Sequence, residues 1–91
     1  MLYVIRCVDK PDSQHLRQEN RPAHLEYIKG FTDQLFAAGP ILDDSDNMCG
    51  SVLILDLPDL EAAKAFAIGD PYAKAGLFAQ VSIDRWKKLL P

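Results

Sequence analysis

The chain has 91 residues, of which 48% are hydrophobic and 25% are charged, and its formal net charge is −3. This length predicts a single domain over residues 1–91. The apolar share is large enough for a core that needs neither a metal nor a disulfide. The weakly acidic balance offers no basic stripe, so we expect neither nucleic acid nor a membrane as a partner.

The amino-terminal sequence Met1–Arg6 lacks the basic start, long apolar run and cleavage site of a signal peptide. No apolar run approaches the roughly 20 residues that are needed to cross a bilayer. Cys7 and Cys49 lie far apart and outside any CxxC motif, which favours two free thiols in a reducing compartment. We therefore expect a cytoplasmic protein.

The first half of the chain predicts a strand, a helix and a second strand. Leu2–Val8 is a short apolar run with β-branched residues, and a polar turn ends it. Ser13–Asn20 is polar and predicts a loop or one helical turn. Pro22 after Arg21 suits the first position of a long helix, and Gly39-Pro40 suits its end. Ile41–Asp44 then predicts a weak second strand.

The second half predicts a hairpin, a helix and a last strand. The predicted elements are a turn over Ser45–Gly50, a strand over Ser51–Leu57, a helix over Leu60–Phe66, a break at Gly69-Asp70-Pro71, a short turn over Tyr72–Gly76 and a strand from Phe78 to Trp86. Asp59 is placed to cap the second helix. The order βαββαβ predicts an α+β fold of the ferredoxin-like type, with two helices on one face of a four-stranded antiparallel sheet.

The predicted strands are apolar on both faces. In the first strand, Leu2 and Val4 alternate with Tyr3 and Ile5, and the third strand repeats this pattern. Two helices cover only one face, and a solvated second face would alternate apolar with polar residues. Because a solvent-exposed apolar face of this size is unusual in a monomer, we expect a homodimer in which the second faces of the two sheets pack against each other.

Several polar residues are candidates for a site, and each also has a structural interpretation. On a helical wheel His24 falls with Phe31 and Leu35 on the core side, where it either fills space or lines a pocket; the wheel alone favours the first. Asp70 before Pro71 is a common helix cap, which would leave one carboxylate oxygen free.

Two further candidates lie in the predicted strands. Arg6 interrupts an apolar strand, and it either pairs with an acid or faces a cavity and holds a substrate carboxylate. Ser51 follows Gly50 at the start of a strand, where its hydroxyl either faces a cleft or belongs to the turn. The acidic run after Ile41 lacks the glycine and glutamate of a calcium loop, so we expect no metal site.

Several segments, in this order, resemble the YciI-like (YCII-related domain) family over nearly the whole chain. They are Arg21-Pro22-Ala23-His24-Leu25, Gly39-Pro40, Gly50-Ser51, Leu60-Glu61-Ala62-Ala63 and Asp70-Pro71-Tyr72-Ala73-Lys74-Ala75-Gly76-Leu77. The resemblance implies a dimeric α+β barrel in which His24 and Asp70 form a catalytic pair, with Tyr72 beside them as a substrate-binding residue. Some relatives resemble a dehydrochlorinase of a chlorinated hydroxyquinol, and the wider fold includes muconolactone isomerases.

These observations lead to one preferred hypothesis and two others. We expect a cofactor-free enzyme that performs acid–base chemistry of the lyase, isomerase or dehydrohalogenase type on a small anionic or phenolic metabolite. In it His24 transfers the proton, Asp70 orients His24, and Arg6 holds the substrate. The alternatives are a module that binds a small molecule or partner without turnover, and a structural dimer whose polar residues are caps and core partners.

Overall fold

A computed structural model describes all residues, 1–91, as four strands and three helices. They are β1 (Leu2–Asp9), α1 (Gln14–Lys29), β2 (Leu35–Leu42), β3 (Met48–Asp56), α2 (Leu60–Gly69), α3 (Pro71–Lys74) and β4 (Phe78–Trp86). The strands form one antiparallel sheet in the order β2-β3-β1-β4. This is the ferredoxin-like arrangement, so the predicted α+β fold is confirmed.

The core lies between the helices and one face of the sheet. Alternate residues of the two central strands point into it and are buried, namely Tyr3, Ile5, Cys7, Leu53 and Leu55. Ile28 of α1 and Phe66 of α2 pack against them. Because side chains of a strand alternate between its faces, the residues between these positions point to the opposite side.

The opposite face of the sheet carries an apolar patch on β1 and β3, the two strands for which the sequence predicts it. Val4 lies beside Ile54 in the register of β1 and β3, and both are half-buried. At one end of the sheet Phe36 and Trp86 are exposed, and their ring centroids lie 6.3 Å apart. We call this surface the open face, because α1 and α2 pack on the other side.

The first helix differs from the prediction at both ends. It begins at Gln14, two turns before Pro22, and ends at Lys29. Ser13–Asn20 is therefore mostly helical, because Arg17 within it is buried and bound to Asp9. Pro22 lacks an N–H and costs one helical hydrogen bond, but buried side chains on both sides of it hold the helix together.

The second strand replaces the predicted end of that helix. β2 spans Leu35–Leu42 and pairs with β3, so Gly39 and Pro40 lie within a strand instead of stopping a helix. Proline is tolerated there because β2 is an edge strand. The second strand was predicted over Ile41–Asp44, which is shorter than β2 and begins six residues after its first residue, Leu35. The third strand begins at Met48, three residues before the predicted start at Ser51.

The second half of the chain follows the prediction more closely. Asp59 caps α2, and its carboxylate accepts a hydrogen bond of 2.8 Å from the N–H of Ala62. The last strand has the predicted bounds, Phe78–Trp86. The predicted turn after Pro71 is the short helix α3. Of the three helices, none combines the length and the apolar character that a membrane span requires.

Gly50 and Gly39 offer a test of how tightly the sheet is packed. A Cβ on Gly50 would lie 2.4 Å from the backbone oxygen of Cys7, whereas a Cβ on Gly39 would meet nothing within 4 Å. We expect Gly50→Ala to lower the free energy of unfolding by about 2 kcal/mol or more, because β1 must move. Gly39→Ala should change it by less than about 1 kcal/mol. Urea denaturation of both variants makes the comparison, and equal losses would contradict it.

Candidate active site

His24 of α1 and Asp70, at the junction of α2 and α3, meet in the interior. His24 Nδ1 lies 2.8 Å from Asp70 Oδ1, and the two side chains are 9% and 2% exposed. A carboxylate only accepts, so Nδ1 carries the hydrogen of this bond, and in the neutral form of the ring the lone pair is on Nε2. The structure therefore joins the two residues that the sequence singled out, and it leaves Nε2 without a protein partner.

Asp70 is both a helix cap and the partner of His24. Its Oδ1 accepts a second hydrogen bond of 2.9 Å from the N–H of Tyr72, at the start of α3. The two interpretations of Asp70 therefore hold together, but one oxygen performs both tasks, whereas the sequence argument assigned a separate oxygen to each. The cap fixes the carboxylate on the backbone, and the carboxylate in turn fixes the imidazole.

A second contact brings α2 close enough to α1 for this bond. The hydroxyl of Tyr27 on α1 donates a hydrogen bond of 2.9 Å to the carbonyl of Phe66 on α2. Gly69 follows at the end of α2, and a Cβ there would lie 2.5 Å from the same hydroxyl. The absence of a side chain at Gly69 thus lets α1 pass beside Asp70.

Tyr72 lies between two charged or titratable groups of α1. Its ring stacks on the His24 ring with centroids 3.9 Å apart, and the Arg17 guanidinium lies 4.6 Å from its centroid. The Tyr72 ring is therefore in contact with both groups. Arg17 and His24 are seven residues apart, which is two helical turns on the same side of α1.

Arg17 is a site residue that the sequence analysis missed. It donates to both carboxylate oxygens of Asp9, at 2.7 and 2.9 Å, and to the hydroxyl of Ser51 at 3.0 Å. Burial disfavours the charged form of Arg17 and lowers its pKa. The hydrogen bonds to Asp9 and the charge of that carboxylate have the larger combined effect, so the pKa of Arg17 lies above its ordinary value. The spacing of Arg17, Arg21, His24 and Ile28 on one helical stripe could have revealed it.

Ser51 faces this cluster, as one interpretation of the sequence required. The residue is 3% exposed and lies within β3, not in the preceding turn. Because its oxygen accepts from Arg17, its own hydrogen is free to donate to a ligand.

Arg6 lies apart from this cluster, on the other face of the sheet, so the structure does not bring it together with His24 and Asp70. It is exposed on the open face, between Val52 and Ser82 in the sheet register. It also makes no ion pair with a neighbouring acid. The reason is the strand period: Ile5 and Cys7 point toward the helices, so Arg6 between them points away.

A cavity of about 340 Å³ opens beside this cluster, between α1, β2 and β3. Its polar end contains Arg17, Arg21, His24, Ser51 and Tyr72. Its other walls are mostly apolar and include Leu25, Ile28, Leu35, Pro40, Met48 and Leu53. This volume lies at the lower end of the range for small-molecule sites, about 300–1,000 Å³. The arrangement suits a small, flat molecule with polar substituents at one edge.

Comparison with known proteins identifies the family of this chain. A family model of the YCII-related domain matches residues 1–87. The chain belongs to the YCII-related domain family. Protein YciI of Escherichia coli O6:H1 (strain CFT073) is 41% identical, over 98% of this chain and 99% of that protein. A protein of Haemophilus influenzae is 35% identical over the same shares of the two chains. The family resemblance seen in the sequence is therefore confirmed.

Two solved structures resemble this chain to different degrees. The 5-chloro-2-hydroxyhydroquinone dehydrochlorinase TftG of Burkholderia phenoliruptrix AC1100, in complex with 2,5-dihydroxybenzoquinone, has a TM-score of 0.89 and 36% identity. The match covers 96% of this chain and 94% of that one. An antibiotic biosynthesis monooxygenase has a TM-score of 0.59 and 16% identity, covering 99% and 100% of the two chains, which is a likeness of fold alone.

The buried pair of Asp9 and Arg17 generates a stability prediction for this family member. Both side chains are 6% exposed, so Asp9→Asn leaves a buried guanidinium without its counter-charge. We expect the free energy of unfolding to fall by about 3 kcal/mol or more. Asp33→Asn is the matched control, because Asp33 is exposed in the turn after α1 and makes no ion pair. A loss of similar size in both variants, measured by urea denaturation, would refute the argument.

Cys7 beneath the site generates a prediction about pH. Burial, followed by the charge of Asp70, raises the pKa of Cys7 from 9.0 to about 12. The unfolded chain thus releases this proton first, so the contribution of Cys7 to stability is complete below pH 9 and is lost as the pH rises toward 12. Cys7→Ala should weaken the alkaline fall in the free energy of unfolding.

Thiol labelling of the native protein provides the accompanying control. Cys49 is only partly buried, so it should react with a disulfide reagent while Cys7 reacts only after unfolding. Rapid labelling of both thiols in the native state would contradict the burial of Cys7.

Proposed function

We propose that this protein is an enzyme that uses His24 as a general base and general acid on a small hydroxylated ring compound. The observation that carries the proposal is the bond of 2.8 Å between His24 Nδ1 and Asp70 Oδ1, beside a cavity of about 340 Å³. The bond orients the ring so that Nε2 is the nitrogen free to exchange a proton. A positioned imidazole of this kind is the commonest general base in enzymes.

The roles of the surrounding residues follow from their contacts. Asp70 orients His24 and stabilises its imidazolium form, as the third member does in other catalytic arrangements. Tyr72 stacks on the imidazole and restricts its rotation. Arg17 holds the Ser51 oxygen, so that the hydroxyl hydrogen of Ser51 is available to a substrate oxygen. Of the substrate-binding residues expected from the sequence, Ser51 and Tyr72 keep this role and Arg6 does not.

The reaction class that suits this set is proton transfer coupled to elimination or isomerisation. In an elimination, Nε2 takes a substrate proton, and a leaving group such as chloride departs with the electron pair of its bond to carbon. The net loss is HX, which needs no oxidant or reductant. The dehydrochlorinase TftG, 36% identical over nearly the whole chain, supports this class. In an isomerisation, the same nitrogen returns the proton to another carbon.

The open face supports a homodimer as the working form. Half-buried Val4, Val52 and Ile54 and exposed Phe36 and Trp86 give it an apolar character that a second copy would cover. Two free cysteines are consistent with the reducing conditions of the cytoplasm, which we propose as the location.

The test follows chloride release from 5-chloro-2-hydroxyhydroquinone, together with deuterium exchange into the ring of unchlorinated hydroxyhydroquinone. His24→Asn should slow either reaction by about 10²–10⁴-fold, because it removes the proton-transferring nitrogen. His15→Asn is the matched control, since His15 is exposed, makes no ion pair and does not line the cavity, and it should keep the wild-type rate.

Three further readouts separate the proposal from its alternatives. Light scattering should give the same mass for the wild type and both variants, since His24 lies away from the open face. Full turnover by His24→Asn would overturn the proposal. Binding of these ring compounds without any conversion by the wild type would instead favour a ligand-binding module.

A further inference from the structure

The ionisable residues that line the cavity are unbalanced in charge. They comprise two arginines, one histidine and one tyrosine, and no aspartate or glutamate. The chain as a whole has a net charge of −3, so this concentration of basic groups is a local feature. Such a lining raises the local concentration of anions over that of neutral molecules.

Two of the three basic groups already have an acidic partner outside the lining. Arg17 binds Asp9 through two hydrogen bonds, and His24 binds Asp70. Arg21 makes no ion pair and no side-chain hydrogen bond. Its guanidinium is therefore the cation at this cavity that no protein group neutralises.

The position of Arg21 directs that charge toward the cavity. It lies on α1 one turn after Arg17 and one turn before His24, so the three side chains share one side of the helix. It is exposed at the mouth, where a ligand can reach it without the cost of burying an unpaired charge. Burial raises the pKa of Tyr72, while Arg17 and Arg21 oppose this effect, which agrees with a guanidinium near the Tyr72 hydroxyl.

The geometry points to Arg21 as the residue that determines specificity, and to a single-ring compound with an ionised oxygen substituent as the substrate class. The apolar walls contact the two faces of the ring, and the ionised oxygen binds the guanidinium through charge-assisted hydrogen bonds. This inference rests on the proposed function, since the same cavity must hold the molecule that His24 deprotonates.

The test compares two probes of similar size by calorimetry at neutral pH and low salt. 2,5-Dihydroxybenzoquinone is the charged probe, because its acidic hydroxyls are ionised at neutral pH, and hydroquinone is the neutral one. We expect the wild type to bind the charged probe at least tenfold more tightly. Arg21→Gln should weaken binding of the charged probe by about 10- to 100-fold and leave hydroquinone unchanged.

Two other variants define what the charge does. Arg21→Lys keeps the positive charge but cannot donate the two parallel hydrogen bonds of a guanidinium, so it should retain part of the preference for the charged probe. Arg85→Gln removes an exposed arginine outside the cavity and should behave like the wild type. Added salt should reduce the preference of the wild type, because the mouth is open to solvent.

The outcomes separate this inference from the proposed function. The inference is overturned if Arg21→Gln keeps the preference, or if the wild type binds neither probe or binds both equally. His24→Asn should keep the preference for the charged probe while it loses turnover. If the preference depends on Arg21 but no turnover is found in the wild type, the proposed function fails, and what stands is that Arg21 selects anionic ligands for binding.

Discussion

The hydrogen bond between His24 and Asp70 connects the middle of α1 to the junction of α2 and α3, 46 residues later in the chain. The positions of Tyr72, Tyr27 and Gly69 are all related to this bond. Tyr72 follows Asp70 by two residues, so the cap that fixes the carboxylate also inserts the tyrosine ring beside the imidazole. The contact between Tyr27 and Phe66 holds the two helices at the distance that the bond requires.

Burial of charge imposes a second constraint on this region. A guanidinium removed from water is tolerated only when a counter-charge and hydrogen bonds replace its hydration. Asp9 provides both to Arg17, and Ser51 accepts a further hydrogen bond from it. The end of β1, the first turns of α1 and the start of β3 are thereby connected through one side chain. The charges that form the polar end of the cavity thus also stabilise the packing of α1 on the sheet.

The cavity exists because α1 does not cover the whole sheet. β2 is an edge strand with mostly small or exposed residues, and only Leu35 and Ile41 within it are partly buried. The space between α1 and this edge is walled by apolar side chains and closed at one end by the charged cluster. In a site of this form, apolar side chains can pack on the faces of a ring, and the charged cluster can form hydrogen bonds with the polar substituents of that ring at one edge.

The sequence by itself determined the element order, the family and the apolar character of both sides of β1 and β3, and it selected His24 and Asp70 as candidate site residues. Alternation in strands, a capping aspartate and contiguous motifs are local signals, and tertiary contacts here did not override them. The last strand and the cap at Asp59 were predicted correctly for that reason.

Only the tertiary structure decided the ends of α1, the extent of β2 and most of the remaining site. Pro22 is a local signal for a helix start, but contacts of Arg17 with residues of β1 and β3 extend the helix before it. Gly39 and Pro40 end a helix in isolation, yet pairing with β3 makes them part of an edge strand. For the same reason Arg6, which was expected at the site, lies on the open face, and Arg17, to which no role was assigned, lies in the polar cluster. The direction of a side chain depends on the register of its strand or helix, and long-range packing sets that register.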